Sequence, residues 1–348
     1  MTFYPHRPQR IVGAIGKLDS KIAVIGEALG AQEEKIGVPF VGHAGGVLDQ
    51  CLHSAGLIRS DLYITNLLKI KPPGNDISPY YIAADRGIGH FTDAGMEWVH
   101  KLWEELSHVK ANVIVPLGKP AMLALTGTDR VSMLRGYVLE SRSEIGGRKV
   151  IPTYHPASTL YGGKYIWRYY ISSDLTKARR ESTSPKIIRP ARELVWPDSF
   201  ANACEWLDYL EGEERLSVDI EVINFEVSCI SLADSPLRSF ALPMYHSPTP
   251  QWSVAEEAYL WKRLSTILSS PKIHKIFQNG IFDVHFLMTR CGIHVKPITP
   301  EMFEDTMIAH SIMFPEMLKG LGFLGSLYCG SQQYWKNMVK FTNIKDNA

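Results

Sequence analysis

Between Arg179 and Arg192 the chain loses its periodicity. Arg-Arg-Glu-Ser-Thr-Ser-Pro-Lys is followed closely by Arg-Pro-Ala-Arg, and apolar residues no longer recur at helix or strand spacing. Pro, Ser and basic side chains in that arrangement cannot bury a hydrophobic face, so the stretch reads as a linker. At 348 residues the chain also exceeds what one core usually organises, and two domains of about 150 residues each are expected. The expected division is residues 1–178, a basic Pro/Ser linker over 179–195, and residues 196–348.

Strand and helix patterns alternate in the first half. Ile22-Ala23-Val24-Ile25 is a buried-strand run ending at Gly26. Val47, Leu48, Cys51, Leu52 and Ala55 fall on one helical face that Gly56 closes. Leu62–Thr65, Val113–Val115 and Val150–Tyr154 are further strands, and Met96, Val99, Leu102, Trp103, Leu106 and Val109 repeat as an amphipathic helix. The pattern predicts an α/β/α sandwich around a four-stranded parallel sheet, with its site at the C-terminal strand ends. Beyond the linker, Leu216–Glu221, Val227–Leu232 and Ser239–Met244 predict an antiparallel meander. Two helices follow, one through Tyr259, Leu260, Leu264 and Leu268 and one over Ile281–Thr289. The second half is thus expected to be an α/β domain.

Composition excludes more than it selects. No apolar run approaches the roughly 18 residues of a membrane span, and Met1–Pro5 lacks the charged and apolar parts of a signal peptide. Cys51, Cys204, Cys229, Cys291 and Cys329 are widely spaced, which suits a reducing cytoplasm and disfavours a cysteine-held metal. The net charge is +1, but residues 1–178 hold 20 Lys+Arg against 16 Asp+Glu, and residues 179–348 hold 17 against 20. A basic front half and an acidic rear half fit phosphate contact and metal binding respectively.

Four pieces of the first half sit where strands end: Gly26-Glu27-Ala28-Leu29-Gly30, the segment Gly37–Gly46 around Phe40, the segment Thr65–Asn75, and His155-Pro156-Ala157-Ser158. Glycines after a strand let a ligand approach the backbone. An Asn both donates to and accepts from a base edge, and an exposed Phe offers a surface for a flat base. Singly these features read as turns, caps, core or solvated lysines. In this order and spacing, residues 20–178 resemble the family 4 uracil-DNA glycosylases. The resemblance implies that Phe40 stacks on an extruded uracil, Asn66 reads its Watson–Crick edge, and His155 stabilises charge on the departing base. It places Glu27 and the Gly26 backbone beside the attacking water, and Lys69, Lys71 and Asn75 on the flanking DNA backbone. Two positions depart from the family. Leu29 stands where proline is usual, and Ile70 stands at a ligand position of the family's four-cysteine iron–sulfur cluster, so no cluster is expected; the insertion Asp76–Gly95 is expected to take its place.

In the second half, Asp219 and Glu221 lie two apart on a strand, so both side chains leave one face. Two such carboxylates repel unless a cation or proton lies between them. Asp283, with Asn279 four residues earlier, would complete a site for divalent metal, Mg²⁺ or Mn²⁺. The set Asp-x-Glu, three strands, then Asn-x-x-x-Asp resembles the 3′–5′ proofreading exonuclease of family A DNA polymerases, which implies an RNase H-like fold with a mixed sheet and a substrate role for Asn279. Glu304–His310 and Lys319-Gly320-Leu321 match that family's text as well. Asp305 is expected to cap a helix rather than bind metal, and His274, His285 and His294 are expected in core or surface roles. Tyr328 and Tyr334 have no Asp four residues on, so the family's last metal ligand is missing and weak nuclease activity is expected. A glycosylase-like module ahead of an exonuclease module resembles the front of large-phage family A polymerases. That arrangement implies DNA, single-stranded or template, as the partner, other replication proteins nearby, no membrane, and the cytoplasm of a host cell.

Overall fold

The computed structural model describes residues 10–160, 162, 164–244, 250–295 and 303–330. Met1–Pro5 and Tyr334 lie outside the described residues. The chain divides into two compact units, one comprising the described residues up to Arg189 together with those from Gly322, the other Pro190–Leu321. Among the described residues no helix is long and apolar enough to cross a membrane.

In the first unit the elements run β1 (Ile22–Gly26), α1 (Ala31–Ile36), α2 (His43–Ser54), β2 (Tyr63–Asn66), β3 (Tyr81–Ile82), β4 (His90–Phe91), α3 (Asp93–Ser107), β5 (Val113–Pro116), α4 (Lys119–Thr126), α5 (Val131–Leu134), β6 (Leu139–Glu140), β7 (Lys149–Val150) and α6 (Trp167–Glu181). The sheet order is β2-β1-β5-β7-β6. Four strands are parallel, as the alternation predicts, and the short β6 adds an antiparallel fifth. Two residues are too few to leave a periodic trace, so β6 escapes sequence reading. Every residue of β1 is buried. Ala23 and Ile25 pack into one core with Leu102 and Leu106 of α3, and Ile22 and Val24 into another with Leu48 and Leu52 of α2. Burial on both faces is what a helix-covered parallel strand requires. Within residues 76–95, Tyr81–Ile82 and His90–Phe91 pair as the two-stranded β3–β4 ribbon, and the Tyr81 hydroxyl donates to the buried Asp129 at 2.6 Å.

The second unit contains β8 (Glu193–Val195), α7 (Phe200–Glu211), β9 (Arg215–Ile223), β10 (Glu226–Ser235), β11 (Arg238–Pro243), α8 (Val254–Ser269), β12 (His274–Phe277), α9 (Gly280–Cys291), β13 (Phe303–Asp305) and α10 (Thr306–Met313). Its six-stranded sheet has the order β13-β12-β9-β10-β11-β8. The meander β9–β10–β11 is antiparallel, while β12 runs parallel to β9 and β8 to β11. Leu216, Val218 and Ile220 alternate into a core with Leu207, Leu260 and Leu264 from α7 and α8.

Both ends of the expected linker change. Arg179 is in the last turn of α6, and Glu193–Val195 form the edge strand β8. A further helix, α11 (Leu321–Tyr328), expected within the rear domain, belongs from Gly322 onward to the first unit. There Phe323 packs edge-on to Tyr170 of α6, with ring centroids 5.0 Å apart, and Gly322 accepts from the Tyr137 hydroxyl.

Candidate functional sites

The first site grows out of strand register. Gly26 ends β1 directly opposite Asn66 at the end of β2. A Cβ added to Gly26 would lie 2.1 Å from Asn66 Oδ1 and 2.4 Å from Phe40 Cζ, so only glycine admits both side chains. On the other side of β1, the bridge Leu117↔Thr153 brings the His155 turn to the end of β5. Glu27, Phe40, Asn66, Asn75 and His155 consequently line one cavity of about 590 Å³, with Leu29, Glu33 and Pro72 in its wall.

Each group in the cavity has a defined state. Asn66 is 2% exposed and its Oδ1 has no hydrogen-bond partner among the described residues. A buried acceptor left unpaired costs about 1–3 kcal/mol, a cost that a ligand N–H would relieve. His155 precedes a 3-10 turn over Pro156–Thr159, and its Nδ1 accepts the Ala157 N–H at 3.2 Å. In the neutral imidazole the proton therefore sits on Nε2. Burial pushes the His155 pKa down to about 4, partly opposed by the Glu33 charge, so the ring is neutral at physiological pH. Burial raises the Glu27 carboxyl above its ordinary value.

Phe40 differs from expectation. It is 5% exposed, set into the cavity wall with φ 54° and its ring centroid 6.0 Å from that of His155. Asn75 remains exposed on the rim. Lys69 does not contact the rim. It is buried, pairs with Glu105 at 2.5 Å and donates to Thr65 Oγ1, because the residue after Leu67 and Leu68 turns its stem into the same core. Lys71 is half-buried outside the cavity wall.

Sequence reading missed Glu33. Its Oε1 accepts the Val41 and Gly42 N–H groups at 3.0 and 2.8 Å, fixing the turn that carries Phe40. A charge in a six-residue helix ordinarily reads as solvated, and only the fold buries this one. The two departures from family pattern meet: the Leu29 N–H donates to the Ile70 carbonyl at 3.3 Å, a bond no proline could make. Ile70 is buried among Leu67, Leu68 and Ile25. Residues 1–178 contain one cysteine, Cys51, so the donors present do not fit a four-thiolate cluster.

In the second unit, Asp219 and Glu221 leave the exposed face of β9. The strand β12 pairs with β9 only as far as Ser217. Further along β9, Asp283 of α9 takes the Ile220 N–H on its Oδ1 at 3.0 Å. Burial pushes the Asp283 pKa up to about 6. The Ile220 N–H opposes that rise, and the charges of Asp219 and Asp305 add to it. Three carboxylates thus gather at one edge, but among the described residues no three potential ligands stand close enough to hold a metal ion. The expected three-ligand cluster of Asp219, Glu221 and Asp283 is therefore not assembled, and one Asp283 oxygen is instead engaged by the Ile220 N–H. Asp305 caps two helices, accepting from Met307 and Ile308 of α10 and from Asn279 and Gly280 at the start of α9. Asn279 is exposed, with φ 63° at the α9 N-cap. His274 lies 3.4 Å from Glu304, and His285 and His294 are exposed.

The raised Asp283 pKa has a measurable consequence. A carboxyl raised on folding stabilises the protein below its unfolded pKa, and that contribution is lost as pH rises through about 6. Asp283→Asn should therefore be more stable than wild type at pH 8 by about 1–2 kcal/mol after allowance for solvent screening. The advantage should vanish towards pH 4. Urea unfolding followed through Trp fluorescence at both pH values measures it, and equal shifts at both would contradict the assignment.

Known proteins resemble both halves of the chain. Residues 13–171 match the uracil DNA glycosylase superfamily and residues 196–343 the 3′–5′ exonuclease family. The chain is 35% identical over 177 residues to a type-4 uracil-DNA glycosylase of Thermotoga maritima, covering 50% of this chain and 83% of that protein. The corresponding Archaeoglobus fulgidus protein is 36% identical over 156 residues, 43% of this chain and 72% of its own. A DNA polymerase of Bacillus phage SP01 is 23% identical over 301 residues, which is 78% of this chain but 30% of the polymerase. Among solved structures, Escherichia coli RNase D aligns with 15% identity and a TM-score of 0.30, over 41% of this chain and 35% of its own.

Proposed function

Because the chain belongs to the uracil-DNA glycosylase superfamily in its first half and carries a 3′–5′ exonuclease domain in its second, we propose that it removes uracil from DNA with the cavity built around Asn66. The observation that carries this reading is the buried, unpartnered Asn66 Oδ1 in one cavity with Phe40, His155 and Glu27. A base lifted out of the stack would lie against Phe40. The Asn66 amide would take the uracil N3–H on Oδ1 and donate to a carbonyl oxygen from Nδ2. As the C1′–N1 bond breaks, its electron pair goes to the base, and the His155 Nε2–H donates to the resulting anion. Water adds to C1′ and gives its proton to the Glu27 carboxylate, whose raised pKa favours accepting it. Gly26 makes room for the Asn66 and Phe40 side chains that would meet the base, and Asn75 on the rim would contact the flanking strand.

For the exonuclease domain, Asp219, Glu221 and Asp283 do not, as they stand among the described residues, form the three-ligand site that a divalent metal would need, so no metal-dependent step is assigned to them. Asn279 would contact the 3′-terminal nucleotide. The likeness to the phage enzyme supports placing both activities in a bacteriophage-type replication polymerase, acting on single-stranded or template DNA in the cytoplasm of a host and beside other replication proteins.

Incubation with uracil-containing single-stranded DNA followed by alkali tests the first activity. Strand scission at uracil is expected. Tight binding without scission would instead identify a non-catalytic scanning module.

A further inference from the structure

The His155 turn is anchored to the body of the first unit through a buried charge. Asp174 of α6 is 1% exposed and Arg135 is 2% exposed. Arg135 donates to both Asp174 oxygens, through Nε to Oδ2 at 2.9 Å and through Nη2 to Oδ1. Its Nη1 donates to Ser326 Oγ at 3.1 Å. Carboxylates so far from water persist only when their lone pairs are met by good donors. The remaining donor to Oδ2 is the Thr153 hydroxyl, at 2.7 Å.

Thr153 itself is fully buried. Its N–H donates to the Pro116 carbonyl at 3.1 Å and its carbonyl accepts the Gly118 N–H at 3.0 Å. Side chain and backbone are thus all committed, two residues before His155. Between them, Tyr154 stacks on Trp167 of α6, with ring centroids 3.9 Å apart. A Cβ added to Gly118 would lie 3.2 Å from His155 Cβ, so the turn is packed closely against the end of β5.

We propose that Thr153 and Asp174 are positioning residues for His155, locking the turn so that its Nε2–H faces the departing base. This inference rests on the glycosylase reading above. Valine at position 153 keeps the shape and leaves the Arg135–Asp174 pair intact, whereas serine keeps the hydroxyl. In T153V, kcat on uracil-containing single-stranded DNA should fall about 10-fold or more with little change in KM, since small misplacement of a reacting group is costly. T153S should recover to within about twofold of wild type by the same argument.

The second readout needs no turnover. The His155 imidazole resonances, followed by NMR titration, should move in T153V, with the pKa rising from about 4 towards its ordinary value, and return in T153S. Wild-type resonances and titration in T153V, or equal loss in T153V and T153S, would overturn the positioning role even in a protein that does not cleave. Absence of scission by the wild type would overturn the glycosylase reading instead.

Discussion

With Asn66 replaced by alanine, kcat/KM for uracil release from single-stranded DNA is expected to drop about 10³-fold, equivalent to about 4 kcal/mol of lost transition-state stabilisation. The size follows from where Asn66 sits. A surface amide would surrender its hydrogen bonds to water at little cost, but this one is 2% exposed with an unmet acceptor. The base that meets it exchanges an unsatisfied state for a satisfied one. Without the amide, the base's own N–H and carbonyl would enter the cavity unpaired. Single-turnover cleavage after alkali, with fluorescence anisotropy for binding, measures the effect. A loss below tenfold would remove Asn66 from base recognition.

His155→Ala should lower kcat by about 10²–10³-fold, the usual cost of removing one aligned donor from a developing anion. The pH profile distinguishes this role from general base catalysis by the same ring. With a pKa of about 4, His155 is already neutral across the neutral range, so its titration should leave kcat flat from pH 6 to 9. The acid limb should instead follow Glu27, which must be ionised to take a proton from water and whose pKa is raised. Stability carries the opposite signature from Asp283. A histidine whose folded pKa lies below its unfolded value binds fewer protons when folded, so its contribution is intact above about 6.5 and is lost as pH falls towards about 4. His155→Ala should flatten that part of the stability curve. A wild-type rate that rose as a group near pH 6.5 became protonated would contradict a neutral His155.

Much of this molecule was legible in the sequence because its signals are local. The apolar run Ile22–Ile25, the helical stripe from Met96 to Val109 and the Asp219–Glu221 alternation each follow from a repeat within a few turns of chain. The capping role of Asp305 was readable for the same reason, since Asp-Thr before an apolar run is a helix start. Lys69 was misread, because nothing in Leu-Leu-Lys-Ile-Lys says which lysine turns inward. Only Glu105, 36 positions later, supplies the partner that makes burial affordable. Glu33 was missed for the converse reason: its partners are amides of a turn that sequence leaves without coordinates.

The order of residues alone pointed to the two α/β halves, to Glu27, Phe40, Asn66 and His155 as the expected base-reading set, and to the carboxylates Asp219, Glu221 and Asp283. Tertiary structure decided how each is charged and held. Register put Gly26 beside Asn66, burial made His155 a neutral donor, and the unpaired edge of β9 drew Asp283 onto a backbone amide. Periodicity travels along the chain, whereas protonation and hydrogen bonding depend on neighbours that only folding assembles.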